Sequence, residues 1–241
     1  MKALKNNLKN ITMIPFILIA FVLICISVDA IVQYAKKRSL KERALPTKTI
    51  HAFNEGSVSI PEGIYFDKAH TWAFMEQNGD VKIGIDDFLL HITGPISRVK
   101  MKAQGEKIHK GEYALSIIQN GKQLNIKAPV SGTVKSQNPK LIEDYSLINT
   151  SPFQDGWVYT IEPSSWVRDI NFLMMSKKYK NFINEEFTRL KDFLAFIMQK
   201  NETEAIPLTL QDGGELKDNL LSDFGPEEWE DFQTKFINAP K

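Results

Sequence analysis

Cysteine is nearly missing. Cys25 stands alone in a chain of 241 residues, which excludes an intramolecular disulfide. It lies in an apolar run, where a small buried hydrophobe is its simplest role. Histidine is scarce as well: His51, His70, His91 and His109 are scattered, and no His/Cys set at metal-ligand spacing predicts a metal site. An excess of either charge is lacking, because 30 Lys and Arg face 29 Asp and Glu, so no nucleic-acid footprint is expected. The turn Asp212-Gly213-Gly214 lacks the Gly-Lys-Ser/Thr element that a phosphate loop needs. Local sequence places no Ser, Cys or carboxylate beside a histidine as a nucleophile and base pair, and a non-catalytic protein is expected.

One long apolar run is present. Ile11 to Tyr34 is long enough to cross a hydrocarbon core of about 30 Å as one helix, and residues 11–35 are read as a single-pass transmembrane anchor. Pro15 falls in the first turn and Asp29 at the headgroup boundary. Val28-Asp29-Ala30 has the spacing of a signal-peptidase site, but apolar residues continue through Ile31 and Val32 into Lys36-Lys37-Arg38, the pattern of a membrane stop. Lys36, Lys37, Arg38, Lys41 and Arg43 on one flank outnumber Lys2, Lys5 and Lys9 on the other, so the soluble body is expected in the cytoplasm. Residues 1–10 form a basic tail and residues 36–62 a tether at the membrane.

Beyond the tether the pattern changes to short strands separated by glycine turns. Tyr65-Phe66, Thr71 to Met75 and Val81 to Ile85 read as strands, with Asn78-Gly79-Asp80 as a turn. Asp86 caps a short helix, and Ile96 to Met101 is another strand. The segment from Gly105 to Gly111 reads as a turn. Asn120-Gly121 is the strongest hairpin signal in the chain, since both central residues of a type I′ turn need positive φ. It joins the strands Tyr113 to Ile118 and Leu124 to Ala128 into a protruding hairpin, and Ser131-Gly132 turns the chain back into the sheet. The composite is a β sandwich or barrel with minor helices. Within it His70 and Trp72, two residues apart, would face the same side of a strand.

The residues themselves carry a resemblance. The tip followed by Ala128-Pro129-Val130-Ser131-Gly132-Thr133-Val134 resembles the region after the arm lysine of biotinyl and lipoyl carrier domains. Tyr65, His70, Trp72 and the block from Gly79 to Ile96, with Asn149, Ser151-Pro152 and Gly156-Trp157, narrow it to the glycine cleavage H-protein family over residues 63–165. The resemblance implies a mainly β barrel-sandwich hybrid carrying lipoate on a hairpin lysine. Counting back from Ala128-Pro129, that lysine falls on Gly121, and the family's usual Glu-Ser-Val falls on Ile118, Gln119 and Asn120. Lys122 stands one position later and is the candidate for attachment. The missing residue predicts a protein without lipoate, a membrane-anchored binding or scaffold subunit. The alternative is a lipoyl carrier that shuttles aminomethyl groups and uses Lys122.

Residues 166–241 lie past the resemblance and read as a helical extension. From Val167 to about Gln199 apolar residues recur at three- and four-residue steps, a broad face expected to pack on its own domain or on the final helix, with docking on another protein or the membrane as the alternative. Pro226 opens that last helix, on which Trp229, Phe232 and Phe236 share a face. His70, Trp72, Trp229, Phe232 and Phe236 are the candidates for docking a protein partner, whose identity the sequence does not name.

Overall fold

The structure is a computed structural model and describes residues 52–200 and 216–240, all within the unit Ile50–Lys241. The apolar run 11–35 and the turn 212–214 lie outside the described residues. No helix among the described residues is long and apolar enough to cross a membrane.

The strands are β1 (Ala52–Phe53), β2 (Tyr65–Asp67), β3 (Thr71–Met75), β4 (Val81–Ile85), β5 (Arg98–Met101), β6 (Lys107–Ile108), β7 (Tyr113–Gln119), β8 (Lys122–Lys127), β9 (Gly132–Gln137), β10 (Tyr159–Pro163) and β11 (Leu216–Lys217). The helices are α1 (Asp87–Thr93), α2 (Pro139–Glu143), α3 (Leu147–Thr150), α4 (Trp166–Ile170), α5 (Ser176–Lys200) and α6 (Pro226–Asp231), with α6 continuing as a π-helical stretch over Phe232–Ile237. Six strands pair in the order β2-β3-β4-β10-β9-β6, three in the order β5-β7-β8, and β1 pairs with β11. The mainly β fold with a helical C-terminal region is therefore present.

Local chemistry explains the first meander. Apolar side chains at Val81, Ile83 and Ile85 alternate inward on β4, the central member of β3-β4-β10. Trp72 on β3 lies directly opposite Gly84 and is buried. A Cβ on Gly84 would come within 2.6 Å of the Trp72 ring, so the indole fits only because residue 84 has no side chain. Asp86 then caps α1, its Oδ1 accepting from Leu89 N at 2.8 Å, which lays Phe88, Leu89 and Ile92 into the core.

Three expectations need correction. The segment between Gly105 and Gly111 is not only a turn: Lys107–Ile108 forms β6 and pairs with β9. The single helix expected from Val167 to Gln199 is broken into α4 and α5. Met174, in the break, exchanges two backbone hydrogen bonds of 2.8 Å with Phe66, so this piece of chain closes the open edge of β2. His70 does not sit on the strand with Trp72; its φ of 61° places it at the turn before β3.

The extension is part of the core. The ring of Tyr179 on α5 stacks on Phe66 at 4.1 Å between centroids, and Phe187 packs against Phe53 and Phe88 at 4.7 and 5.2 Å. Phe193 meets Phe232 at 5.4 Å, and Phe232 stacks on Phe236 at 4.8 Å. The broad face of α5 thus packs on its own domain and on the last helix, as its periodicity indicates.

Candidate functional site: the hairpin and its cover

Asn120 and Gly121 have φ of 48° and 82°, and Gln119 pairs directly with Lys122, so a two-residue turn of the primed kind closes β7 on β8. Asn120 and Gly121 are exposed at the apex. Gln119 is not; it is buried, and its Nε2 lies 2.8 Å from Thr93 O, 3.0 Å from Pro95 O and 3.0 Å from Ser222 Oγ. The hairpin therefore does not project freely into solvent.

Lys122 is drawn away from the apex. Its Nζ donates to the main-chain oxygens of Leu221, Ser222 and Phe224 at 3.3, 3.1 and 2.7 Å. It also lies 5.1 Å from the centroid of the Trp229 ring, a cation–π distance. Burial lowers the Lys122 pKa from the ordinary lysine value, while the Asp223 and Glu228 carboxylates pull the other way. One ammonium thus gathers three carbonyls at the end of the short 3-10 turn Leu220–Asp223, of which Leu221 O also accepts from Phe224 N and from Trp229 Nε1.

A second fastening lies further along β8. Gln233 Oε1 accepts from Asn125 N at 2.6 Å and Gln233 Nε2 donates to Asn125 O at 3.3 Å. A third joins α1 to the start of the C-terminal segment. His91 Nδ1 is 2.8 Å from Asp218 Oδ1 and its Nε2 is 3.5 Å from Asp87 Oδ2, and Asn219 N donates to His91 O at 2.7 Å. Burial works against the charged ring, but the Asp218 and Asp87 carboxylates outweigh it and push the His91 pKa up to about 10.

The remaining candidates are interior residues. His70 is fully buried, with Nδ1 2.9 Å from Asp86 Oδ2 and Nε2 3.1 Å from Glu186 Oε2. Tyr179 OH donates to the same Asp86 oxygen, and burial, then the Asp86 charge, hold the phenol well above its usual pKa. Arg189 binds both Glu186 oxygens at 2.6 and 2.7 Å and Phe236 O at 3.0 Å. This network ties α1, α5 and the C-terminal segment together. Trp72, Trp229, Phe232 and Phe236 are likewise buried. None of the five expected docking residues presents its side chain to a partner, because internal packing consumes each of them. Sequence reading missed Gln233, Ser222, Asp218 and Glu186, whose partners are remote in the chain.

The family model described as Glycine cleavage H-protein matches residues 64–186, which include the hairpin, α1 and the first part of α5. The chain belongs to the glycine cleavage H-protein family. The glycine cleavage system H protein of Coprothermobacter proteolyticus is 34% identical over 128 residues, 53% of this chain and 100% of that protein. That of Anaeromyxobacter sp. is 32% identical over 130 residues, 54% of this chain and 99% of that protein. A solved glycine cleavage system H protein from Mycobacterium marinum superposes with a TM-score of 0.47 at 22% identity, covering 52% of this chain and 99% of that one. As a glycine cleavage H-protein relative the chain is non-catalytic. The match ends at residue 186, so every residue that covers Lys122 lies beyond the family span.

Proposed function

We propose that this protein is a carrier of the glycine cleavage H-protein type, with Lys122 as its arm residue. The observation that carries this reading is the match itself, which covers nearly the whole length of relatives named glycine cleavage system H protein and includes the hairpin. Lys122 is the first residue past the turn and the lysine nearest the apex. In the described arrangement its amine is engaged, so loading with lipoate requires the contacts to Leu221, Ser222 and Phe224 to open.

A second reading is favoured by a specific observation. Gly121 holds the place where the family resemblance puts the arm lysine, and Lys122 spends its donors inside the protein. On this reading the protein is a binding subunit without lipoate, tethered to a membrane through residues 11–35. Intact-mass measurement on protein from its own cells, with peptide mapping across 113–127, decides between them. A lipoyl amide on Lys122 that disappears in Lys122→Arg supports the carrier; an unmodified peptide removes it.

A further inference from the structure

The C-terminal segment reaches the hairpin at groups that are chemically unlike one another. It offers three carbonyls and an indole to the Lys122 ammonium, a hydroxyl to the Gln119 amide, and a side-chain amide to the main chain of Asn125. Asn125 sits on β8, the outer strand of β5-β7-β8, so its outward N–H and C=O are groups that an added strand would use. All of these contacts come from residues 221–233, on the far side of the chain segment 201–215 from α5. We infer that residues 216–240 are a built-in occupant of the arm hairpin. They fill, in cis, a docking face made of Lys122, Gln119 and the β8 edge, and a partner protein reaches that face only by displacing them.

The displaced face fits a polypeptide segment of the same chemistry: clustered main-chain oxygens for the ammonium, an aromatic ring over it, and a strand edge or carboxamide for Asn125. The inference deepens the carrier reading, since the same opening frees the amine for acylation, yet it is read on unmodified protein. The segment is held at its start by the β1–β11 pairing and the His91–Asp218 contact and near its end by Arg189 on Phe236 O and by Phe193 against Phe232, so it stays tethered on both sides when the part between them lifts.

The test uses the full chain, produced without lipoylation, and a limiting dose of N-hydroxysuccinimidyl acetate. The reagent forms an amide with a free amine and releases N-hydroxysuccinimide. Lys140, whose side chain is 60% exposed, serves as the internal reference. Acetylation of Lys122 is expected to be about tenfold slower than that of Lys140 in the wild type and to approach it in Trp229→Ala. The lowered pKa of Lys122 would by itself quicken acetylation, so slow labelling reports shielding. Amide exchange of β8 against β3 and β4, in Trp229→Ala and in the milder Gln233→Ala, separates opening from unfolding. Faster exchange confined to β8 supports the inference. Equal labelling of Lys122 and Lys140 in the wild type, or exchange that rises equally in β3, β4 and β8, overturns it. Absence of lipoate from the native protein would end the carrier reading and leave these results untouched.

Discussion

Gln233 stands in for a strand. Its one carboxamide both accepts from Asn125 N and donates to Asn125 O, at 2.6 and 3.3 Å, and so takes up the outward main-chain pair of Asn125 on the β8 edge as a neighbouring strand would. Removal leaves a partly buried main-chain pair without these partners, a cost of about 1–3 kcal/mol. Gln233→Ala should therefore lower the urea midpoint with an unchanged m-value. A midpoint equal to wild type would mean that water replaces the carboxamide at no cost.

A pH effect follows from His91. Its pKa in the folded protein, about 10, lies above the ordinary histidine value of 6.5, so the stability it lends is fully present below about pH 6.5 and is lost as pH rises toward 10. The ring is 27% exposed, and solvent screening limits the size of the effect. Melting temperature should fall more steeply between pH 7 and pH 10 in the wild type than in His91→Gln, in about the same buffer series. Parallel curves would show that the Asp218 contact does not hold the segment.

Gly84 offers a packing test. With its Cβ position 2.6 Å from a buried indole, Gly84→Ala forces Trp72 to move within a filled core, at about 1–3 kcal/mol. Trp72→Phe in the Gly84→Ala background should recover part of the loss, because a smaller ring vacates the space. Additive losses in the double variant would contradict the contact.

These tests divide along the line of what the sequence shows. The Asn120-Gly121 turn, the Asp86 cap, the strands Thr71 to Met75 and Val81 to Ile85, and the helix start at Pro226 are legible because each rests on its own few residues. The break between α4 and α5 is not, since apolar spacing runs across it and the cause is the β2 edge at Phe66. In the site, the apex was visible and its cover was not. His70 meets Glu186 from 116 residues away, and Lys122 meets Phe224 from 102. Aromatic spacing at Trp229, Phe232 and Phe236 suggested a face for a protein partner, whereas all three are buried within the protein and Trp229 lies over Lys122 of the hairpin.

The membrane-tethered reading, which rests on the sequence of residues 11–35 alone, is tested by fractionation. The full chain should remain with membranes through an alkaline carbonate wash, and a reporter fused after Lys241 should be active in the cytoplasm alone. Release by carbonate would remove the anchor, and reporter activity outside the cytoplasm would reverse the orientation.

The arm itself is best tested by putting a lysine where the family resemblance places one. Gly121 has φ of 82°, so a lysine there bears left-handed strain of about 1 kcal/mol, but nothing lies within 4 Å of its Cβ position and the side chain would stand in solvent at the apex. Lys122 has the opposite balance, with an unstrained strand position and an amine held by three carbonyls. Co-expressed with a lipoylating enzyme and lipoate, Gly121→Lys should be modified at residue 121 more completely than the wild type is at Lys122. Adding Trp229→Ala to the wild type should raise modification at Lys122 toward that level, since the indole closes the site over the amine. Modification of the wild type at Lys122 as complete as that of Gly121→Lys would show that the C-terminal segment does not restrict the arm. No modification at Lys122 in any background, with Gly121→Lys fully modified, would assign the natural protein to the binding reading and show that a lysine at position 121, not 122, is what the lipoylating enzyme accepts on this hairpin.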